Sequence, residues 1–181
     1  ARTGTLEGVA NNDYAGSSRY VIEYTEDIHL FGASFNTMLK ASGVALQGEV
    51  SFRPNMPLQA DANEVINAIF TQLGSGYTSQ LGAYDYNEEI QGFKDHKVGQ
   101  AQATASKFFG PNNPLKATNI LVLGEAGFTY VLDMEDKDKL KYDGPESSTS
   151  DAFSWGYHVM MRLDYTNAIG ALTLSPVVAF S

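Results

Sequence analysis

Alternation of apolar and polar residues with period two runs through most of this chain, most plainly between Ser154 and Phe180. Trp155, Tyr157, Val159, Met161, Leu163 and Tyr165 fall on one face, and Gly156, His158, Met160, Arg162 and Asp164 on the other. After a tight turn, Leu172, Leu174, Pro176, Val178 and Phe180 continue the first face, with small or polar residues between them. Successive strand side chains point to opposite faces, so this hairpin is apolar on one side and polar on the other, with aromatics near the strand ends.

The same period predicts further strands. Ile28 to Leu39 aligns Phe31, Ala33, Phe35, Thr37 and Leu39, and the turn Lys40 to Gly43 leads into Val44 to Arg53. Val98 to Phe109 sets Gly99, Ala101, Ala103 and Ala105 against Gln100, Gln102, Thr104 and Ser106. Thr118 to Leu132 sets Ile120, Val122, Ala126, Phe128 and Tyr130 against Glu125 and Thr129. A further strand is expected at Tyr20 to Thr25.

The connections between these strands run short, long, short, long, short. The long ones span 54–93 and 133–153. Alternation by itself fits a soluble sandwich with one wet face as well as a membrane barrel. Short turns at one end and long loops at the other fit an outer-membrane barrel, with periplasmic turns and extracellular loops. The fold expected is therefore all-β: an antiparallel up-and-down transmembrane β-barrel, with one short α-helix in a long loop. Roughly six or seven strands are too few to close, since single-chain membrane barrels begin at about eight. Unpaired edges cannot face lipid. Residues 1–181 thus read as part of a larger barrel, completed by further strands or by other chains.

Composition adjusts this picture only slightly. Charged residues make up 18% of the chain, below the roughly 25% of an average soluble domain. The 17 glycines and 12% aromatics suit turn-rich β structure. The chain has no cysteine, which excludes disulfides and thiolate metal sites. A net charge of −9 argues against nucleic acid. No signal peptide opens the sequence, as expected of a mature form or a fragment.

Several long strings resemble a known family. They are YTEDIHLFGASFNTML (24–39), VALQGEVSFRPNMPLQ (44–59), VGQAQATASKFFGPNN (98–113), LVLGEAGFTYVLDM (121–134) and SWGYHVMMRLDYTNAIGALTLSPVVAF (154–180). Together they cover about half of the chain, in order, and resemble a proteobacterial outer-membrane family of unknown function, the DUF family numbered thirteen-oh-two. The resemblance implies a large barrel in the Gram-negative outer membrane, of which this is a carboxy-terminal part that stops short. It also implies uptake of hydrophobic compounds, and it brings no catalytic residues.

Within the long loop 54–93, Asp61 and Glu64 form a helix-capping pair. Val65, Ile66, Ile69, Phe70 and Leu73 then share a helical face, and Gly74 stops the helix predicted over 61–73. Such a helix suits a gate or plug, or plain packing on neighbouring loops. The segment GSGYTSQLGAYDY after it suits sugar or lipid contacts, or again loop packing.

Glu49, Arg53, Gln100, Gln102, Glu125, His158, Arg162 and Asp164 fall on the predicted inward face. They can line a polar path and set selectivity, or pair into a network that fills a closed lumen. Arg162 and Asp164, two residues apart on that face, are expected to pair.

The acidic stretch Asp133 to Glu146 offers oxygen ligands for Ca²⁺. It lacks the EF-hand spacing and carries interleaved lysines, so it reads as a solvated surface loop. His29, His96 and His158 show no metal-ligand spacing. Ser79 does not sit in a G-x-S-x-G turn. No catalytic residue, metal or cofactor is expected. The function expected is passive passage or uptake of small, including hydrophobic, solutes across the outer membrane, with lipid and solute as partners. A surface-display barrel is the alternative, and an outer-membrane hydrolase using His158 a remote one.

Overall fold

The computed structural model describes residues 13, 14, 16–74, 76–144 and 150–181. Glu146 of the acidic stretch and Ser75 of the GSGYTSQ segment lie outside them. The chain divides into two compact units. One is a sheet built from Leu30–Arg53, Lys97–Leu132 and Ala152–Ser181, and the other joins Pro54–His96 to Asp133–Asp151 and the start of the chain.

The sheet has strands β1 (Phe31–Leu39), β2 (Val44–Gln59), β3 (Phe93–Phe109), β4 (Asn119–Val131), β5 (Phe153–Ile169), β6 (Leu172–Leu174) and β7 (Val177–Phe180). Their order is that of the sequence, β1-β2-β3-β4-β5-β6, with β7 also on β5. The first hairpin pairs Leu39 with Val44 and Phe31 with Phe52. Gly43 closes its turn at φ 67°, donating to the Leu39 carbonyl at 2.8 Å, a conformation open to glycine without a Cβ penalty.

β4 is the centre of the observed pairing. On one side Ala103 meets Ala126 and Ala101 meets Phe128. On the other Tyr157 meets Ala126 and Trp155 meets Phe128. The apolar positions of three strands therefore fall in common rows on one face, as the period requires. The observed fold is all-β and antiparallel with one short α-helix. Among the described residues the sheet stays open, since β1 pairs only with β2, and β6 and β7 only with β5.

Several boundaries differ from the sequence reading, among them the start of β3 at Phe93 rather than Val98. No strand forms at Tyr20 to Thr25, where Tyr20, Val21 and Tyr24 are exposed; alternation without a partner strand makes no ladder. β2 continues through Pro54 and Pro57 to Gln59, although proline removes a ladder donor and marks a strand end in sequence. The last strand is split by Ser175 and Pro176. The Pro176 carbonyl still accepts from the Leu163 amide at 3.0 Å, but proline has no amide to return.

In the second unit, helix α1 (Ala62–Phe70) is followed by a 3₁₀ turn, Thr71–Leu73, and ends at Gly74 (φ 142°). Asp61 caps it by accepting from the Asn63 amide at 2.9 Å. Ala60, Leu140 and Tyr142 form a small core, with Leu58, Val65, Leu81 and Met134 against it. The bridge Ala60↔Tyr142 holds the two long connections together, flanked by bonds from the Asp61 amide to the Lys141 carbonyl and from Asp143 to Gln59, both 2.9 Å.

Candidate functional site

The sheet unit places all eight residues of the predicted inward face on one side. Register fixes this for Gln100 opposite Thr129, Gln102 opposite Gly127, and Thr104 opposite Glu125. Glu125 in turn stands opposite His158, and Leu121 and Asn119 opposite Arg162 and Asp164.

Side-chain bonds run across the strands on this face. Arg53 donates to Gln100 Oε1 at 2.6 Å, and the Gln100 amide donates on to Thr129 Oγ1 at 3.1 Å. This row crosses β2, β3 and β4. Thr104 donates to Glu125 at 3.0 Å. Arg162 Nε meets Asp164 Oδ1 at 2.9 Å, as expected, and Ser175 donates to the same oxygen at 2.7 Å.

Between these rows lies an open hollow of about 280 Å³. Its walls carry Glu49, Ser51, Gln100, Gln102, Thr129 and Ser154, over Gly127 and Gly156. Hydroxyl and amide groups dominate its polar lining, with the Glu49 carboxylate among them. Such a surface offers hydrogen bonds to a polar solute and one site of negative charge.

The opposite face is apolar and uncovered. Phe31, Trp155 and Phe180 are 62%, 68% and 65% exposed. On this face Phe153 contacts both Phe128 and Tyr130 of the neighbouring strand, and Trp155 stacks on Tyr157 at 6.1 Å. An apolar furrow of about 740 Å³ runs on this side over Ala101, Ala103 and Ala126, between Phe35 and Trp155.

The residues predicted for a gating helix do not form one free apolar stripe. Val65 packs on the core of its own unit, and Phe70 meets the Tyr77 ring at 5.5 Å. Ile69 and Leu73 are half-buried, while Ile66 is 51% exposed. The buried side instead contains Ala68 and Glu64. The Glu64 carboxylate accepts from the Gln80 amide at 2.8 Å rather than turning back onto the cap. Gln80 also bonds the Lys137 carbonyl and the Lys141 amide, at 2.9 and 2.8 Å. The GYTSQLG segment is therefore a clamp between the helix and the acidic stretch.

The acidic stretch is only partly solvated. Asp136 and Lys139 stay exposed, but Leu140 and Tyr142 are buried. Among the described residues no group of side chains is arranged to hold a metal ion. The stretch instead supplies Asp133, Glu135 and Tyr142 to a cluster with Lys94 and His96 of β3. Burial by itself raises the Glu135 carboxyl, but hydrogen bonds from Lys94 and Tyr142 outweigh it and hold it at about 2. Burial, and then the bond to Glu135, push the Tyr142 phenol well above its usual range. The sequence offered no sign of this cluster: two β3 residues one pleat apart meet a segment far along the chain.

No helix among the described residues is long and apolar enough to cross a membrane, which says nothing of strands. No curated protein and no solved structure matches this chain. A family model does, over residues 2–181, and the chain belongs to that family, DUF1302, proteins of unknown function.

Proposed function

We propose that this chain forms part of the wall of an outer-membrane β-barrel that passes small solutes through its lumen. The observation that carries the reading is the uncovered apolar face of a sheet whose other face is hydrogen-bonded and polar. A monomeric soluble protein rarely leaves so large an apolar patch to water. The strands β1 to β5 have 9, 16, 17, 13 and 17 residues, and a tilted membrane strand needs about nine to eleven. From Ile120 to Tyr130 the apolar face spans roughly 25 Å, at about 3.3 Å per residue and a tilt of about 40°. That is the height of an outer-membrane apolar band, and aromatics stand at its upper edge as interfacial girdles do.

In this reading the polar hollow faces the lumen, and its lining suits a polar solute. Closing the sheet takes further strands or other chains, because open edges in lipid leave backbone groups unpaired. A barrel that displays its loops without transport is the second reading, favoured by the packed core of the unit formed from the long connections.

Trp155 is the only tryptophan of this chain, and it tests the carrying observation. In the folded protein reconstituted into vesicles, with any tryptophan outside this chain replaced, brominated acyl chains are expected to quench Trp155. Aqueous acrylamide is expected to quench it poorly. The reverse pattern in folded protein would sink the membrane reading. Single-channel conductance then separates a path from a plugged display barrel: ion-selective steps support the first, and silence from folded protein the second.

A further inference from the structure

His96 is buried, 1% exposed, yet both of its ring nitrogens face oxygen. Nδ1 lies 3.2 Å from Asp133 Oδ1, and Nε2 lies 2.5 Å from the Tyr142 hydroxyl. That hydroxyl donates to Glu135 Oε2, and Lys94 bonds the other Glu135 oxygen. Nε2 is also 3.5 Å from Glu135 Oε2.

The hydrogens in this chain of contacts can be assigned from the partners. An ionised Glu135 accepts only, so the one phenolic hydrogen goes to it. The Tyr142 oxygen is then left to accept, and the hydrogen between it and the ring must sit on Nε2. Asp133, a carboxylate, accepts the hydrogen on Nδ1. Both nitrogens therefore carry hydrogen, and the ring is an imidazolium.

We propose that His96 is a proton-operated latch, which ties segment 133–142 to the start of β3 while doubly protonated and releases it on losing one proton. The titratable groups facing the ring are Asp133, Glu135 and Tyr142 of that segment, with Lys94 of its own strand joined through Glu135. A neutral imidazole has one hydrogen. If it stays on Nδ1, the Nε2 lone pair meets the Tyr142 oxygen, and the phenol must turn from Glu135 to the ring. If it stays on Nε2, the Nδ1 lone pair faces the Asp133 carboxylate. Either way the ring, itself buried, loses one of its two hydrogen bonds, and a lost partner is costly away from water.

The effect reaches beyond the ring because Tyr142 is also a core residue. It stacks edge-on against His96 at 4.8 Å, pairs with Ala60 and packs with Leu140. Release of Tyr142 removes the bridge between the two long connections and uncovers Val65 and Leu81, which pack on that core. The latch thus couples one proton to the closure of the whole unit.

The test is a pH series on the intact protein with ¹⁵N-labelled histidine, read beside amide hydrogen exchange of residues 134–142. The latched state should show two N–H-type nitrogens for His96. Protection of the segment should fall at least about tenfold, the equivalent of one pKa unit, over the same pH range in which His96 loses its proton. Titration of the exposed His29 should leave that protection unchanged. Asp133→Asn, which keeps an acceptor but removes the charge, should move the transition to lower pH without abolishing the fold. A pyridine-type nitrogen on His96 in the protected state, or protection unchanged through its titration, would overturn the proposal.

Discussion

Gly127 on β4 and Gly156 on β5 stand directly opposite each other across the sheet, so neither strand puts a side chain on the polar face at that row. The hollow owes its depth to this pair. The two glycines are not equivalent, however. A Cβ on Gly127 would lie 3.2 Å from the Ala101 carbonyl and from Gln102 Cβ, whereas one on Gly156 meets nothing within 4 Å. Gly127→Ala is therefore expected to destabilise by about 1 kcal/mol through local crowding. Gly156→Gln should stay within about 0.5 kcal/mol of the parent while filling the hollow. Denaturant unfolding checks the stabilities, and reduced single-channel conductance of Gly156→Gln alone checks that the hollow lies on the solute path.

Charge on the same face makes a separate prediction. Glu125 has Thr104 as its hydrogen-bond donor and stands opposite His158, with no cation bonded to it among the described residues. Arg162 is bonded to Asp164, which keeps Ser175 if the arginine is lost. Glu125→Gln is expected to lower cation preference and Arg162→Gln to raise it, each at a stability cost under about 1 kcal/mol for exposed groups. Reversal potentials in asymmetric salt measure this. Equal reversal potentials for both variants and the parent would remove these residues from the path.

The helix of the long connection depends on two acids in different ways. Asp61→Ala loses the cap to the Asn63 amide and should cost about 1 kcal/mol. Glu64 is 9% exposed and accepts from the Gln80 amide, with Lys141 at 3.8 Å. Glu64→Ala leaves that part-buried amide unpaired, at a cost of about 1 kcal/mol. Hydrogen exchange should show loosening of residues 62–73 in the first variant, and of both 62–73 and 137–141 in the second, because Gln80 joins them.

Stability of the same unit should fall at both pH extremes. Glu135 is depressed from its ordinary 4.5 to about 2, so its contribution is present above pH 4.5 and is lost as pH falls toward 2. Tyr142 is raised above its ordinary 10.0, so its contribution is complete below pH 10.0 and is lost as pH climbs beyond it. Glu135→Gln should flatten the acid limb and Tyr142→Phe the alkaline limb in pH-dependent denaturation. An acid limb unchanged by Glu135→Gln would place the sensitivity elsewhere.

Much of the sheet was legible because its information is local. Period two assigns Trp155 and His158 to opposite faces whatever else the chain does, and Gly43 and Gly170 mark turns that fix hairpin register. Helix α1 was equally readable from Asp61 before it and Gly74 after it. Prolines misled in both directions. Pro54 reads as a strand end, yet β2 runs on to Gln59, whereas Pro176, read as strand, splits β6 from β7. A missing amide matters only if a partner carbonyl needs it, and that depends on the neighbouring strand.

What the sequence by itself determined is the identity of each face, the hairpins, the helix and the polar row from Glu49 to Asp164. Only the tertiary structure decided which long connection meets which, because Ala60 pairs with Tyr142, and Gln80 with Lys137 and Lys141, across separations that no local period records. The same applies to His96, which is buried against Tyr142 and faces Asp133 although nothing local in the sequence marks it. Burial and charge pairing are set by groups brought close in space, so a period measured along the chain cannot carry them.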